Sequence, residues 1–307
     1  MKTFDAQATR DLLPYPELAQ ALQTVLRDKQ AGTATAPPRL IVPIANNGTL
    51  LVMPAADENI AITKLVTVHR DNPARGLPSI QAEVLVINAR TGERLCVLDG
   101  ATVTARRTAA LSLLAAQWLA PVKTGRMLIV GAGVQGKAHL EAFAAGLGIQ
   151  EFVIASRMAA NAQALASYAN TLGLKASVIE NIKDMQAVLS DVSLIATGTT
   201  SATPVISANV RADAFVAAVG AYNHTLAELP PALVQRATVF VDSLDGAKYE
   251  AGDLIQANVD WSRVVALESV NAANAINNKS AGPVVFKSVG HALWDLAAAR
   301  LAVSKMS

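Results

Sequence analysis

The sequence has little of what would mark a disulfide-rich, metal-binding, nucleic-acid-binding or membrane protein. Among its 307 residues there are one cysteine and four histidines, and the formal net charge is +2. The single cysteine excludes an internal disulfide framework, and the balanced charge gives no reason to expect nucleic acid or a membrane surface as partner. No stretch approaches the roughly 18 uninterrupted apolar residues of a membrane span, and the amino terminus lacks the apolar segment of a signal peptide. We therefore predict a cytoplasmic protein without a metal.

The chain does have many apolar residues, 52% of the total, and their pattern changes along its length. Leu18, Leu22, Val25 and Leu26 share helical spacing and predict a helix over 12–30, with a loop over 31–38. Short β segments are predicted at 40–44, 49–54, 60–68, 80–88 and 94–98, separated by turn-forming residues. A helix over 105–119 is stopped by Pro121. This order predicts an antiparallel α+β unit.

From residue 123 onward, strand and helix patterns alternate. The predicted strands are 127–130, 151–155, 175–179, 192–197, 215–219 and 238–242. Near-continuous apolar strands of this kind are typical of a parallel sheet that is covered on both faces. After Asp260 the alternation is lost, and the last predicted element is a helix over 288–304, which we expect to return to the first domain.

A glycine motif lies at the start of this second region, in the stretch MLIVGAGVQGKAHLEAF at 127–143. In a dinucleotide-binding turn, a glycine at the position of Gly131 permits the turn, one at Gly133 lets a pyrophosphate approach, and one at Gly136 allows close packing of helix and strand. The amino terminus of the following helix then faces the phosphates. The motif alone is a weak signal, but here a strand precedes it and a helix and a second strand follow. We therefore predict a dinucleotide site.

The residues after the second strand indicate which dinucleotide is bound. A NAD site usually has an acidic residue about 20 positions beyond the glycines, where it bonds the ribose 2′-hydroxyl. Here Ser156 and Arg157 occupy that place. A hydroxyl and an arginine suit a 2′-phosphate, so we predict NADPH, with NADH possible.

Two cations occupy positions where apolar residues are expected. Strand alternation over 60–68 places Lys64 with the hydrophobic side chains, and the helix from residue 105 places Arg107 on the stripe of Leu111 and Leu114, with Arg106 rotated away. Either cation can reach the rim of the core or pair with a structural carboxylate such as Glu83 or Asp99. The alternative is a joint site for a substrate carboxylate, with Arg107 as a bidentate clamp and Lys64 as a point charge.

Several long motifs in order make the chain similar to the ornithine cyclodeaminase and mu-crystallin family. They are VMPA at 52–55, KLVTVHRDNPARGLPSI at 64–80, LDGATVTARRTAA at 98–110, GAGVQGKAHLEAF at 131–143, VFVDSLDGAKYEAGDL at 239–254 and KSVGHALWDLAAA at 287–299. The resemblance implies an α/β fold: a Rossmann-type doubly wound parallel sheet at 121–287, and a discontinuous α+β domain for substrate binding and dimerisation at 1–120 and 288–307. It also implies a homodimer.

The resemblance carries functional residues onto this chain. The substrate-carboxylate lysine and arginine fall on Lys64 and Arg107, Arg39 is a looser match to a further arginine, and Met53 lies in the VMPA motif. Segments around 242–243 and 289–290 would approach the nicotinamide. The candidate cofactor-binding residues are Gly131, Gly133, Val134, Gln135, Gly136, Ser156, Arg157, Thr197, Tyr222, Asp242 and Val289.

Two departures from the cyclodeaminases narrow the expected activity. Tyr222 stands where their aspartate would lie, and Leu51-Val52 replaces an acidic residue before the MP of the second motif. Carboxylates there would hold an amine and move protons, so ornithine cyclisation is not expected without them. What remains is hydride transfer to a C=N bond, as in the ketimine reductases.

The predicted substrates are cyclic imine carboxylates: Δ1-pyrroline-2-carboxylate, giving L-proline, and Δ1-piperideine-2-carboxylate, giving L-pipecolate, in hydroxyproline or lysine catabolism. The imine nitrogen would be protonated before binding or by water, and Tyr222 or His224 is a weaker candidate donor. The alternatives are an alanine dehydrogenase-like reductive aminase, an ornithine cyclodeaminase and a non-enzymatic NADPH-dependent ligand carrier of the mu-crystallin type.

Overall fold

The computed structural model describes residues 1–69, 71–179, 184–270 and 282–306. They group in two compact units, one formed by Met1–Arg107 with His291–Ser307 and the other by Thr108–Gly290. The division falls inside helix α3, Gly100–Leu119. The sequence analysis placed the domain boundaries after residues 120 and 287, where the sequence pattern changes, whereas the compact units divide after Arg107 and after Gly290.

The first unit is built on a six-stranded sheet of order β1-β6-β5-β4-β3-β2. Its strands are β1 (Lys2–Phe4), β2 (Leu40–Ile44), β3 (Gly48–Ala56), β4 (Ile60–Val68), β5 (Ile80–Asn88) and β6 (Arg94–Asp99). Neighbours pair antiparallel, except that β1 runs parallel to β6. The five predicted β segments are therefore confirmed. The three-residue β1 was missed because it is too short to show alternation.

The amino-terminal helix differs from its prediction. The predicted helix over 12–30 corresponds to α2 (Tyr15–Ala31), and a separate helix before it, α1 (Ala6–Leu12), was not predicted. The break lies at Leu13 and Pro14, which have non-helical backbone angles. Proline lacks an N–H group and disfavours helical geometry in the residue before it, so the helix can only restart after it. The apolar residues that predicted the helix, Leu18 and Leu22 among them, are buried.

The last helix, α10 (Ala292–Met306), packs against α2 and against strands β3 and β4. The carboxyl terminus thus returns to the first unit, as expected from the sequence. The predicted start at residue 288 is wrong, because Ser288, Val289 and Gly290 bond to the carboxylate of Asp242 instead. Gly290 also has a positive φ of 87°, which a helix does not allow.

The second unit is an eight-stranded parallel sheet of order β13-β12-β14-β11-β10-β7-β8-β9. Its strands are β7 (Arg126–Val130), β8 (Glu151–Ala155), β9 (Lys175–Val178), β10 (Leu194–Thr197), β11 (Phe215–Ala218), β12 (Thr238–Val241), β13 (Val265–Ala266) and β14 (Val284–Lys287). Its helices after α3 are α4 (Val134–Leu147), α5 (Ala159–Thr171), α6 (Met185–Asp191), α7 (Pro231–Arg236), α8 (Leu244–Glu250) and α9 (Gly252–Gln256). The predicted Rossmann-type parallel sheet is confirmed.

Two strands of this sheet were missed. The expectation that the strand pattern ends after Asp260 is wrong, because β13 and β14 both follow it. Strand β14 lies between β11 and β12, in the fully buried part of the sheet. A four-residue apolar segment without a neighbouring helix pattern is too short to be identified as a strand on periodicity.

Among the helices in the described part of the chain, none is long and apolar enough to cross a membrane.

Candidate active site

Three charged side chains meet inside the first unit. The Lys64 ammonium lies 2.7 Å from Oδ2 of Asp295, and the Arg107 Nε donates to Oδ1 of the same carboxylate at 3.1 Å. All three residues are buried, and Asp295 is 0% exposed. Strand β4 contributes the lysine, α3 the arginine and α10 the aspartate, so the site needs elements from both ends of the chain.

Burial dominates the electrostatics of this cluster. It lowers the pKa of Lys64 to about 8, with further lowering by Arg107 and Arg39, whereas Asp295 raises it. Two cations surround one carboxylate, so the trio carries one net positive charge when Lys64 is protonated. An ammonium with this pKa loses its charge only slightly above neutral pH. The cluster is therefore cationic at pH 7 and is suited to attract a further anion.

Other predicted substrate-side residues lie around the same lysine. Met53 on β3 is directly opposite Lys64 on β4 and is buried. Thr104, which the sequence analysis did not single out, lies one turn before Arg107 and has its hydroxyl 3.4 Å from the Lys64 ammonium. Arg39 precedes β2, is partly buried, and acts on Lys64 electrostatically. The structure thus brings together Met53, Lys64 and Arg107, and Arg39 is close enough to lower the pKa of Lys64.

The prediction that the two cations lie on buried faces is confirmed, and Arg106, which was predicted only to lie off the stripe of Arg107, is on another face of α3. Its side chain is also buried: Nε donates to the carbonyl of Leu13 at 2.7 Å, and the guanidinium stacks 3.8 Å from the centre of the Tyr15 ring. Helix α3 is packed on more than one side, so rotation by 100° does not bring a residue to solvent. The suggested partners Glu83 and Asp99 are replaced by Asp295, and Asp99 instead accepts from the Thr102 amide at the start of α3.

The glycine turn in the second unit has the geometry that its sequence predicts. Gly131 has a positive φ of 105°, and an added Cβ at Gly136 would lie 1.9 Å from the Gly131 carbonyl oxygen. Gly133 precedes the first residue of α4, and an added Cβ there would meet no atom within 4 Å. Two glycines are therefore required by close packing, and the third leaves open space before the helix amino terminus, where a phosphate fits.

This turn lies at the point where the strand order reverses. Strands β8 and β9 continue from β7 in one direction, and β10 and β11 continue in the other. In open α/β sheets, ligands bind outside the carboxyl ends of the strands at such a point. Thr197 ends β10, and its Oγ1, like Oε1 of Gln135 on α4, is a buried atom with no hydrogen-bond partner among the described residues. Open space and unsatisfied polar atoms fit a bound dinucleotide.

The remaining predicted cofactor residues follow other strands of the same sheet. Ser156 and Arg157 come directly after β8, and Arg157 is exposed. Asp242 follows β12 and is fully buried, with its carboxylate accepting from the Ser288 hydroxyl and from the amides of Val289 and Gly290. Val134 is 70% exposed and Tyr222 is 40% exposed. All these residues are placed at the carboxyl edge of the sheet or in the loops that leave it.

A buried histidine supports the helix behind the glycine turn. The ring of His139 bonds through Nδ1 to the carbonyl oxygen of Gln135 at 2.8 Å and through Nε2 to the hydroxyl of Ser112 at 2.9 Å. Burial lowers the pKa of His139 to about 4. The ring is therefore neutral at pH 7, with Nδ1 donating and Nε2 accepting, and joins α4 to α3.

A model of the ornithine cyclodeaminase/mu-crystallin family matches residues 4–307. The chain belongs to this family. It is 40% identical to the Δ1-pyrroline-2-carboxylate reductase 1 of Burkholderia multivorans, covering 97% of this chain and 94% of that protein. It is 38% identical to the Δ1-pyrroline-2-carboxylate/Δ1-piperideine-2-carboxylate reductase of Azospirillum brasilense, with the same coverage. The structure of the Thermococcus litoralis Δ1-pyrroline-2-carboxylate reductase in complex with NADH and L-proline is 25% identical, with a TM-score of 0.89 and coverage of 99% and 97%.

Sequence analysis missed several polar residues that the structure places in buried positions. Asp295 is the clearest case, and Glu228, Asp253 and Lys287 form a second buried group. A signal for Asp295 was present, since it is the one acidic residue of the otherwise apolar segment HALWDLAAA. A charge on an apolar helix face is costly without a partner, so the position of Asp295 already implied a partner of opposite charge.

Proposed function

We propose that this chain is an NAD(P)H-dependent reductase of cyclic imine carboxylates. Its products would be L-proline from Δ1-pyrroline-2-carboxylate and L-pipecolate from Δ1-piperideine-2-carboxylate. The observation that carries the proposal is the buried, net-cationic cluster of Lys64, Arg107 and Asp295 in a family member whose relatives are reductases of these imines. An apolar ligand would not need such a cluster, which argues against a carrier role.

In this proposal Arg107 and Lys64 hold the carboxylate on C2 of the ring. Asp295 accepts from Nε of the arginine, and the terminal nitrogens of the guanidinium are proposed to hold the substrate carboxylate. Lys64 adds a second positive charge, and Arg39 is the candidate for a third. Fixing the carboxylate fixes the adjacent imine carbon, so the main contribution of these residues to the rate is orientation.

When bound, the nicotinamide supplies the hydride that adds to the imine carbon. The residues proposed to hold the dinucleotide are those of the Gly131–Gly136 turn, with Thr197, Asp242 and Val289 toward the nicotinamide. Tyr222 is kept as a candidate cofactor contact. Ser156 and Arg157 are proposed to favour NADPH over NADH, since no carboxylate stands there to accept from the 2′-hydroxyl and the Arg157 guanidinium can pair with a 2′-phosphate.

Protonation of the imine nitrogen is proposed to occur before binding or from water. The two carboxylates expected in a cyclodeaminase are absent, and Tyr222 and Val52 stand at those positions. The site therefore has no acidic group there to move a proton between two amines, which disfavours ornithine as substrate.

A homodimer is proposed for the assembled protein. Strands of the first unit's sheet expose large apolar side chains that a monomer would leave in water: Leu40, Ile41, Leu65 and Ile80. Leu40 and Leu65 share one face of the sheet through Val52, and large apolar side chains exposed on such a face are typical of protein interfaces. Light scattering at micromolar concentration should give twice the 32.0 kDa mass of the chain, and a monomer would refute the proposal.

The test of the reaction is NADPH oxidation with the five- and six-membered imine carboxylates. Turnover of either imine supports the proposal, and pyruvate with ammonia serves as the control for a reductive aminase. Conversion of ornithine to proline without net cofactor oxidation would indicate a cyclodeaminase. Binding without turnover of any imine would indicate a carrier.

A further inference from the structure

A buried carboxylate connects two turns at the carboxyl edge of the second unit's sheet. Oε1 of Glu228 accepts from the amide of Thr199 at 2.6 Å and from its hydroxyl at 2.9 Å. Oε2 accepts from the amide of Gly220 at 2.7 Å. Thr199 lies in the turn that leaves β10, and Gly220 lies in the turn that leaves β11. One side chain therefore holds the exits of two neighbouring strands.

Two further charged residues hold Glu228 in place. Oδ1 of Asp253, on α9, accepts from the backbone amides of Glu228 and Leu229, the second at 2.9 Å. Oδ2 of Asp253 lies 2.8 Å from the ammonium of Lys287, the last residue of β14. Glu228 and Lys287 are 0% exposed, and Asp253 is 1% exposed. The group thus links β14 to the turns of β10 and β11 through a chain of charges.

The backbone segments around Glu228 are closely packed. An added Cβ at Gly220 would lie 2.1 Å from the Thr199 carbonyl oxygen and 2.6 Å from Oε1 of Glu228. An added Cβ at Gly252, just before Asp253, would lie 1.9 Å from the Leu226 carbonyl oxygen. The turns and the segment carrying Glu228 are therefore in direct contact.

Stability alone does not account for these charges. The protein buries two carboxylates, Glu228 and Asp253, against the single ammonium of Lys287. Burial raises the pKa of Glu228; the charge of Lys287 lowers it, and that of Asp253 raises it. Well-packed apolar residues often replace a buried ion group at no cost in stability, whereas directed hydrogen bonds specify a geometry. The hydrogen bonds of Glu228 hold the turns that follow Thr197 and precede Tyr222, two residues proposed to contact the cofactor.

We propose that Glu228, held by Asp253 and Lys287, is a positioning residue that fixes the turns after β10 and β11 in the shape that the dinucleotide requires. The inference rests on the proposed function, because it takes the carboxyl edge of this sheet as the cofactor site. Glu228 itself makes no contact with substrate in this scheme and acts through the amides of Thr199 and Gly220.

The test is the variant Glu228→Gln, with Asp213→Asn as control. A carboxamide keeps the size of the side chain but turns an NH₂ group toward one of the two amides, so one turn loses its acceptor. A hydrogen bond to a charged group corresponds to about ten- to hundredfold in an equilibrium constant. We expect the Kd for NADPH and NADH, from nucleotide fluorescence, to rise at least about tenfold. The Asp213→Asn substitution should leave Kd unchanged, because the carboxylate of Asp213 pairs with Arg211 at the surface.

Amide hydrogen exchange separates positioning from a general loss of stability. In the wild-type protein without nucleotide, the amides of Thr199 and Gly220 should be as protected as those of β10 and β11. In Glu228→Gln, exchange should accelerate at these two amides and not along the strands. The wild-type measurement also tests the proposal if the variant does not fold, since fast exchange of both amides would overturn it.

The outcomes distinguish this inference from the proposed function. If the wild-type protein binds neither nucleotide, the proposed function fails. If the wild-type protein binds nucleotide and Glu228→Gln binds it within twofold with unchanged exchange, the positioning role fails and the proposed function stands.

Discussion

Replacing Asp295 with asparagine should destabilise the protein strongly, because it removes the only carboxylate within ion-pair distance of Lys64 and Arg107 in the described part of the chain. Asparagine has nearly the same shape, so the packing of α10 is preserved and the change is one of charge. Breaking a buried ion pair from one side costs about 3–5 kcal/mol. We expect a loss of about 4 kcal/mol in the free energy of unfolding at pH 7.

The loss should become smaller as the pH rises. The pKa of Lys64 is about 8 in the folded protein, against an ordinary value of 10.5 in the unfolded chain. Between these two pH values the unfolded chain binds more protons than the folded protein, so the free energy of unfolding increases with pH. Without Asp295 the pKa of Lys64 in the folded protein falls further, because Asp295 raises it. The pH range over which stability increases then extends to lower pH, and raising the pH stabilises the variant more than the wild-type protein. Urea unfolding at pH 7 and pH 9.5, followed by circular dichroism, measures both effects.

A carboxylate ligand should partly replace the missing charge. L-Proline, the proposed product, should raise the urea midpoint of Asp295→Asn more than that of the wild-type protein. The control is again Asp213→Asn, because its exposed ion pair is screened by solvent and salt and should contribute far less. A loss at pH 7 of less than about 1 kcal/mol, or no larger than that of the control, would refute the electrostatic account of the cluster.

Three further predictions follow from the same geometry. Arg107→Ala should lower kcat/KM for the imine about a hundredfold, mainly through KM, and an unaffected variant would remove Arg107 from the site. Arg157→Ala should raise KM for NADPH about tenfold and leave KM for NADH nearly unchanged, whereas equal effects on both would reject a 2′-phosphate contact. For His139, whose pKa falls from 6.5 to about 4 on folding, stability should decrease by about 3 kcal/mol as the pH falls through that window, because the unfolded chain takes up the proton first. His139→Gln should flatten this dependence, and an identical slope would contradict the assignment.

The local pattern of the sequence was sufficient for most elements and for the orientation of the two site cations. Alternation over a nine-residue strand places Lys64 on the buried face of β4, and a period of 3.6 residues places Arg107 inside α3. Both follow from the fixed geometry of single elements, which needs no knowledge of neighbours. The glycine turn was predictable for the same reason, since the backbone angle of Gly131 and the close packing of Gly136 are local requirements.

Tertiary structure decided which charges meet. Asp295 lies far along the chain from Lys64 and Arg107, and Glu228, Asp253 and Lys287 come from three separate segments. Their pairing depends on how helices pack on sheets and on the order of the strands, including the placement of β14 between β11 and β12. Periodicity describes only which face of an element is buried. The partner that a buried charge finds there is set by elements distant in sequence, and this chain brings those elements together only when it folds.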